Sequence, residues 1–343
     1  MKLIVDAMGG DHAPYEIVLG AVRGMRECDD ISLVFVGDEE KIRDVLKEED
    51  VPFDGIEIVH APTQIEMDDD PLCILKSKKD SSMAKGLLLL RDGKGDAFLS
   101  AGSTGALIVG ASSRIYKLKA AGIRRCAIGT VLPLTRPTLL LDSGANIEVA
   151  PDELLQFAYM GKAYMKGFFD IKNPKIGLVN NGAEETKGTA LYVETHKLLK
   201  EAEDLNFAGN VEGRDIPLGA ADVLLCDGFV GNVILKLSEG FGKFIGKELK
   251  AMFKSSALGL LAALLLKKKV KKFKARLSYE KYGGAPVLGT VRPVIKAHGS
   301  SKASAIEAAI NDAYMAVKSN LVANVAGNLE KIDLDNLVKS EEE

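Results

Sequence analysis

Six glycine-rich polar turns follow short apolar, β-like runs along this chain, and they constrain its fold more than any other feature. They are VDAMGGDHAP at 5–14, SAGSTGAL at 100–107, LDSGAN at 141–146, NNGAEETKG at 180–188, DGFVGNV at 227–233 and KAHGSS at 296–301. In an open parallel sheet the turns at the carboxyl ends of strands meet over one crevice. The pattern therefore predicts one elaborate site built from many loops. Glycine-rich turns that run into helices suit that site to an anion.

The spacing between turns supports this architecture. β-branched runs at 3–6, 32–36, 57–60, 97–100, 127–132, 138–142, 175–179, 207–210, 223–226 and 294–297 read as strands. Helical periodicity fills many of the gaps, at 14–28, 71–91, 151–167, 187–201 and 302–328. Such alternation predicts βαβ units, hence a three-layer αβα fold around a mostly parallel sheet. With 343 residues, 47% of them hydrophobic, the chain can bury one large core across residues 1–330, as a single unit or two lobes, leaving a charged tail at 331–343. Four cysteines without CxxC spacing read as reduced and structural. Asp6 and a polar turn close on the first apolar residues, so no signal peptide is expected, and no apolar run reaches the ~20 residues of a spanning helix. These features predict an intracellular protein. A net charge of −3 gives no general affinity for nucleic acid.

Each turn offers specific chemistry. The first places Gly9, Gly10, Asp11 and His12 where a dinucleotide enzyme would carry G-x-G-x-x-G, and that spacing is missing. In the second, Gly102 and Gly105 permit close backbone approach while Ser103 and Thr104 supply hydroxyls at a helix start, which suits either an anion seat or an N-cap. Asn146 closes the third turn. In the fourth, Glu184 and Glu185 precede Lys187, whose charge can meet phosphate or a developing oxyanion, or remain solvated at a capped helix start. Asp227, Gly231 and Asn232 follow a strand end; the Asn232 amide can donate to a carbonyl oxygen or merely close an Asx turn. Finally, His298 with Ser300 and Ser301 can bind phosphate and polarise a carbonyl, although a turn histidine is also a common structural hydrogen-bonder. Asp6, Asp142 and Asp227 read as organisers of backbone amides and histidine tautomers. Four histidines scattered from 12 to 298 make no metal set, and no GxSxG elbow appears.

In this order the motifs VDAMGGDHAP, AGSTGA, LDSGAN, GAEETKG, DGFVGN and HGSS resemble the bacterial phosphate acyltransferases of phospholipid synthesis over essentially the whole chain. The resemblance implies a fold similar to the phosphotransacetylase and isocitrate/isopropylmalate dehydrogenase group. It implies a reaction in which inorganic phosphate attacks the thioester of a fatty acyl carrier protein, reversibly giving acyl phosphate and free carrier, with no cofactor and no metal. On this reading Lys187, Asn232 and His298 are the catalytic candidates. The other residues named at the turns bind substrate or phosphate. The product would pass to an acyl-phosphate-dependent glycerol-phosphate acyltransferase. An acyl-CoA enzyme of the phosphotransacetylase kind is the alternative. Two positions, Ser103 and Ser143, depart from the pattern of that family, which more often carries asparagine and an aliphatic residue there.

One segment lies outside the turn logic. In SSALGLLAALLLKKKVKKFKARL at 255–277, residues 257–266 are all apolar or glycine, and basic residues then dominate. As a helix the apolar part reaches only about 15 Å, half the hydrocarbon core. It therefore reads as a helical protrusion at 254–277. Leu258, Leu260, Leu261, Leu264 and Leu265 would enter the membrane surface, and Lys267, Lys268 and Lys269 would meet anionic headgroups. The segment could instead form a homodimer interface, or serve both purposes at once, and a homodimer is expected; a docking face for the acidic carrier protein is the competing use. A peripheral location on the inner face of the cell membrane follows from the membrane reading.

Overall fold

A computed structural model describes residues 1–28, 30–277 and 283–329, so the tail expected at 331–343 lies outside the described residues. Eleven strands form one sheet: β1 (Lys2–Asp6), β2 (Ser32–Gly37), β3 (Ile56–His60), β4 (Ala97–Ser100), β5 (Ala127–Pro133), β6 (Pro137–Leu141), β7 (Ile176–Asn180), β8 (Phe207–Glu212), β9 (Val223–Leu225), β10 (Gly284–Leu288) and β11 (Val294–Ala297). Their order is β3-β2-β1-β4-β11-β10-β5-β6-β9-β7-β8. Seven neighbouring pairs are parallel. Three, all involving β10 or β5, are antiparallel. Helices α1 (Tyr15–Glu27), α2 (Glu39–Glu48), α3 (Ser82–Arg91), α4 (Thr104–Ser112), α5 (Pro151–Phe169), α6 (Ala190–Glu201), α7 (Gly228–Lys254), α9 (Ala303–Lys318) and α10 (Leu321–Leu329) lie over its faces, and α8 (Ala257–Leu277) packs against α7. The fold is the three-layer α/β arrangement that the alternation predicted.

Side-chain alternation along the strands explains where the core lies. Leu3 and Val5, Leu33 and Phe35, and Leu139 and Leu141 point to one face, where α1, α5 and α9 complete a single core across the sheet. The intervening Ile4, Val34 and Leu140 point to the other face, and there the core divides into two separate clusters. Strand β5 crosses the gap. Its Ile128 belongs to one cluster and Leu132 to the other, while the polar Thr130 stands between them and lines a cavity.

The strand directions correct one sequence expectation. Antiparallel pairing at β10 and again between β5 and β6 makes β6, β9, β7 and β8 run opposite to β1, β4 and β11. The six turns therefore cannot share one edge of the sheet. The reversing strand β10, GAPVL, was not legible because Gly284 and Pro286 dilute a β signal. Two predicted helices are also interrupted. Residues 71–91 split into a 3-10 turn at Pro71–Leu75 and α3, which Ser81 starts afresh by accepting from the Ala84 amide. Residues 302–328 split at Asn320, which takes a left-handed φ of 49°, and α10 then turns back onto α5. Among the described residues no helix is long and apolar enough to cross a membrane.

Helices α1 and α9 meet through glycine. A Cβ at Gly20 would collide with the carbonyl oxygen of Ala303 and lie 2.6 Å from Ile306 Cβ. Helix propensity alone would favour Gly20→Ala by about 1 kcal/mol, whereas overpacking against backbone costs about 1–3 kcal/mol. Denaturant melts of Gly20→Ala should show a net loss of stability; a gain would mean that the helices separate freely.

Candidate active site

The cavity between the two halves of the divided core has a volume of about 870 Å³. Its organising group is Asp142, fully buried just past β6. The carboxylate accepts from the backbone amides of Ile128, Gly144, Ala145 and Asn146 and from Asn146 Nδ2, at 2.7 to 3.2 Å. Burial pushes its pKa up and these donors pull it back. The turn so fixed receives α7: the Gly228 amide donates to Asn146 O at 2.6 Å, and a Cβ on Gly231 would strike the carbonyl oxygen of Asp142. Asp227 caps this helix by accepting from the Val230 amide, and its other oxygen takes the Tyr192 hydroxyl at 2.6 Å.

From that anchor α7 crosses the open face of the sheet. Asn232, Lys236 and Glu239, on successive turns, line the cavity together with His298 of the turn after β11. Asn232 and His298 thus share one cavity even though their preceding strands, β9 and β11, point to opposite edges. The crossing helix, not the sheet edge, unites them.

On the other side the turns after β4 and β11 reach the cavity, and the turn after β1, whose Gly9, Gly10, Asp11 and His12 do not line it, packs against them. The Asp11 amide donates to Gly299 O at 2.8 Å, and Gly9, where a Cβ would lie 2.6 Å from the Gly102 nitrogen, lets the first two turns touch. Gly10, at φ 106°, approaches Gly299 in the same way. Asp6 beneath them accepts from Ser100 Oγ and the Met8 amide. Thr104, Ser300 and Ser301 face the cavity, while Ser103 spends its hydroxyl as the N-cap of α4. Asp11 and His12 are exposed at the start of α1. The carboxylates of Asp6, Asp142 and Asp227 gather amides and hydroxyls; among the described residues none is hydrogen-bonded to a histidine.

His298 Nδ1 accepts from the Ser300 amide at 3.2 Å and lies 2.9 Å from Ser300 Oγ. An Nδ1 occupied as acceptor leaves Nε2 carrying the proton of the neutral ring. Desolvation first, then the Lys236 charge, holds its pKa below the ordinary histidine value. At neutral pH the ring is an uncharged donor. The thiols nearby are not nucleophiles: burial pushes Cys226 well above its usual pKa and Cys126 to about 11.

Other predicted residues stand apart. Asn146 commits its amide to Cys126 O and Asp142. Glu185 pairs with Lys200 at 2.8 Å, and Lys187 is exposed in the turn after β7; neither lines the cavity. Four lysines line the cavity, Lys236, Lys243, Lys296 and Lys302, and none was among the predicted site residues. Lys236 lies one helical turn beyond Asn232, and Lys296 opens the KAHGSS motif itself. A search for cations one turn from each motif would have found both.

Fold and cavity together define a three-layer α/β protein with a polar-lined cavity where its sheet changes direction. Solved structures agree on the fold: a phosphotransacetylase from Streptococcus pyogenes superposes with TM-score 0.61 at 16% identity, over 94% of each chain. A branched-chain phosphotransacylase from Enterococcus faecalis gives 0.55 at 15% identity, over 92% of this chain and 99% of that one. The family model described as "Fatty acid synthesis protein" matches residues 1–324. Curated relatives include the phosphate acyltransferase of Dictyoglomus turgidum, 46% identical over 97% of this chain and 98% of that protein. That of Thermoanaerobacterium thermosaccharolyticum is 45% identical, with 98% of each covered. The chain belongs to this fatty acid synthesis family, among the bacterial phosphate acyltransferases, and is an acyltransferase of lipid synthesis.

Because His298 is held neutral by burial and by Lys236, an NMR titration of its ring should give a midpoint below 6.5, and Lys236→Met should move it upward. A midpoint at or above 6.5 in the unmodified protein would contradict this electrostatic account.

Proposed function

We propose that this enzyme transfers a fatty acyl group from the thioester of an acyl carrier protein to inorganic phosphate, releasing acyl phosphate and the carrier thiol. The observation that carries the reading is one cavity with a mixed lining. Asn232, Lys236, His298 and Ser300 supply polar and cationic groups, while Val131, Leu235, Ile245 and Leu249 supply apolar surface. A phosphate suits the first set and an acyl chain the second.

The chemistry needs no covalent enzyme intermediate. A phosphate oxygen attacks the thioester carbonyl, a C–O bond forms, and the C–S bond then breaks. The proton lost by hydrogen phosphate balances the one the departing thiolate takes up, so the reaction consumes no net acid or base. Asn232 Nδ2 and the neutral His298 Nε2–H donate to the carbonyl oxygen as negative charge develops there. Holding both reactants in one cavity supplies the orientation. Residues 1–330 act in this reading as one catalytic unit.

Two surfaces support the wider proposal. Only Gly228 and Gly231 of the 27 residues of α7 are buried, and Phe229, Val233, Leu237, Phe241, Phe244 and Met252 form an exposed apolar stripe. A stripe at this spacing fits a second copy of the helix, hence a homodimer. At the end of the α7–α8 hairpin, Leu258, Leu260, Leu261, Leu264 and Leu265 are each more than half exposed, with Lys267, Lys268 and Lys269 exposed behind them. This tip fits the surface of an anionic membrane on the cytoplasmic side, where acyl phosphate would be handed to a glycerol-phosphate acyltransferase.

Palmitoyl carrier protein and phosphate should together release free carrier thiol, with palmitoyl-CoA as the parallel substrate; thiol from the CoA arm alone would make the protein an acyl-CoA enzyme instead. Asn232→Ala and His298→Ala should each lower turnover by about 10²–10³-fold, as loss of one oxyanion donor does, without unfolding the protein. Replacing Leu260, Leu261, Leu264 and Leu265 by serine should release the protein from anionic liposomes while leaving its turnover on soluble carrier substrate. Each buried CH₂ contributes about 0.8 kcal/mol and each lysine about 1 kcal/mol, so high salt should weaken wild-type binding without abolishing it. Failure of the wild-type protein to sediment at low salt would remove the membrane from the proposal.

A further inference from the structure

A buried cation beneath the cavity has no role in the steps above. Lys296 lies next to the end of β11, in register with Ser100 of β4 and Ala285 of β10. It is 7% exposed, yet it lines the cavity. Its Nζ donates to Ala101 O at 3.3 Å and to Ala297 O, which joins the turn after β4 to the turn after β11. These carbonyls occupy two of the three N–H donors of the ammonium. Among the described residues no carboxylate forms an ion pair with it. A buried cation is costly without a counter-ion. Here burial lowers its pKa to about 8; the Asp6 and Asp11 charges oppose that shift and Lys236 adds to it.

We infer that Lys296 is the counter-ion of the acceptor anion, its third N–H donating to an inorganic phosphate seated between Thr104, Ser300 and Ser301, with Lys236 closing over it from α7. The inference rests on the proposed acyl transfer to phosphate and adds the group that selects the acceptor. A compact dianion compensates the lysine, and the amides and hydroxyls of the same turns take the remaining oxygens. A neutral acceptor such as water would leave the cation unpaired, which favours phosphate over hydrolysis of the thioester. The proximity of Asp6, Asp11, Lys236 and His298 makes the site sensitive to pH. The free enzyme loses the ammonium as pH rises through about 8, whereas bound phosphate raises that pKa again.

The test measures the KM for inorganic phosphate and for palmitoyl carrier protein in wild type, Lys296→Met and Lys296→Arg, with phosphate-dependent thermal shifts beside them. Loss of a charge-assisted hydrogen bond should raise the phosphate KM of Lys296→Met by about tenfold or more, with the carrier KM changed by less than roughly twofold. Lys296→Arg should recover part of the loss. A lysine that only staples two turns would instead lower kcat and raise both KM values together. In wild type, kcat/KM for phosphate should fall above pH about 8 while kcat holds to higher pH, a window above the second ionisation of phosphate itself. If Lys296→Met does not fold, this profile decides alone, and a flat phosphate KM from pH about 7.5 to about 9.5 overturns the assignment. If wild type makes acyl phosphate and Lys296→Met keeps its phosphate KM, the lysine assignment falls and the function stands. If wild type makes none, yet phosphate still stabilises it in a Lys296-dependent way, the function falls and the anion site stands.

Discussion

The structure depends on one buried carboxylate. Asp142 gathers five N–H groups, and in doing so it fixes the start of β5, the turn after β6 and the landing point of α7. Each amide left without it would forfeit about 1–3 kcal/mol, so the arrangement has no inexpensive alternative. Glycine completes the contact, because any side chain at position 231 would displace the helix from the Asp142 carbonyl. With α7 set at this angle, its polar residues cross a gap in the core and reach the turn of His298.

Electrostatics inside that gap follow from burial rather than from formal charge. Lys296 is drawn down to about 8, His298 below its usual value, and Asp6 and Asp142 are pushed up by desolvation. Groups so perturbed around one cavity mark it as a candidate functional site. The chain as a whole is slightly acidic, with a net charge of −3, yet the cavity lining holds four lysines against one glutamate. Overall charge and local charge have opposite signs here.

The α7–α8 arm follows a different rule. Its stability within one chain comes from few buried side chains, while its apolar stripe and leucine tip face outward. Such a surface is costly in water unless something covers it. The same helix that frames the cavity at its first turns therefore presents, further along, the surfaces on which assembly and location are proposed to depend.

Much of this was legible in the chain. Continuous apolar runs such as Leu3, Ile4 and Val5 specify strands buried on both faces, and glycines where backbones must touch, at Gly9 and Gly10, mark the turns. Local chemistry determines such features, because strand period and turn geometry are set by neighbouring residues. The sequence did not reveal that β10 reverses the sheet, since Gly284 and Pro286 weaken the strand signal of its hairpin with β11, and its other partner, β5, lies far away in the chain, with Val287 opposite Ile128. That reversal puts the turns after β6, β7 and β9 on the edge opposite the turn of His298, and leaves α7 to bring Asn232 to it. It was likewise tertiary packing that buried Lys296 without a carboxylate partner and so turned an ordinary strand-end lysine into the most distinctive charge of the site.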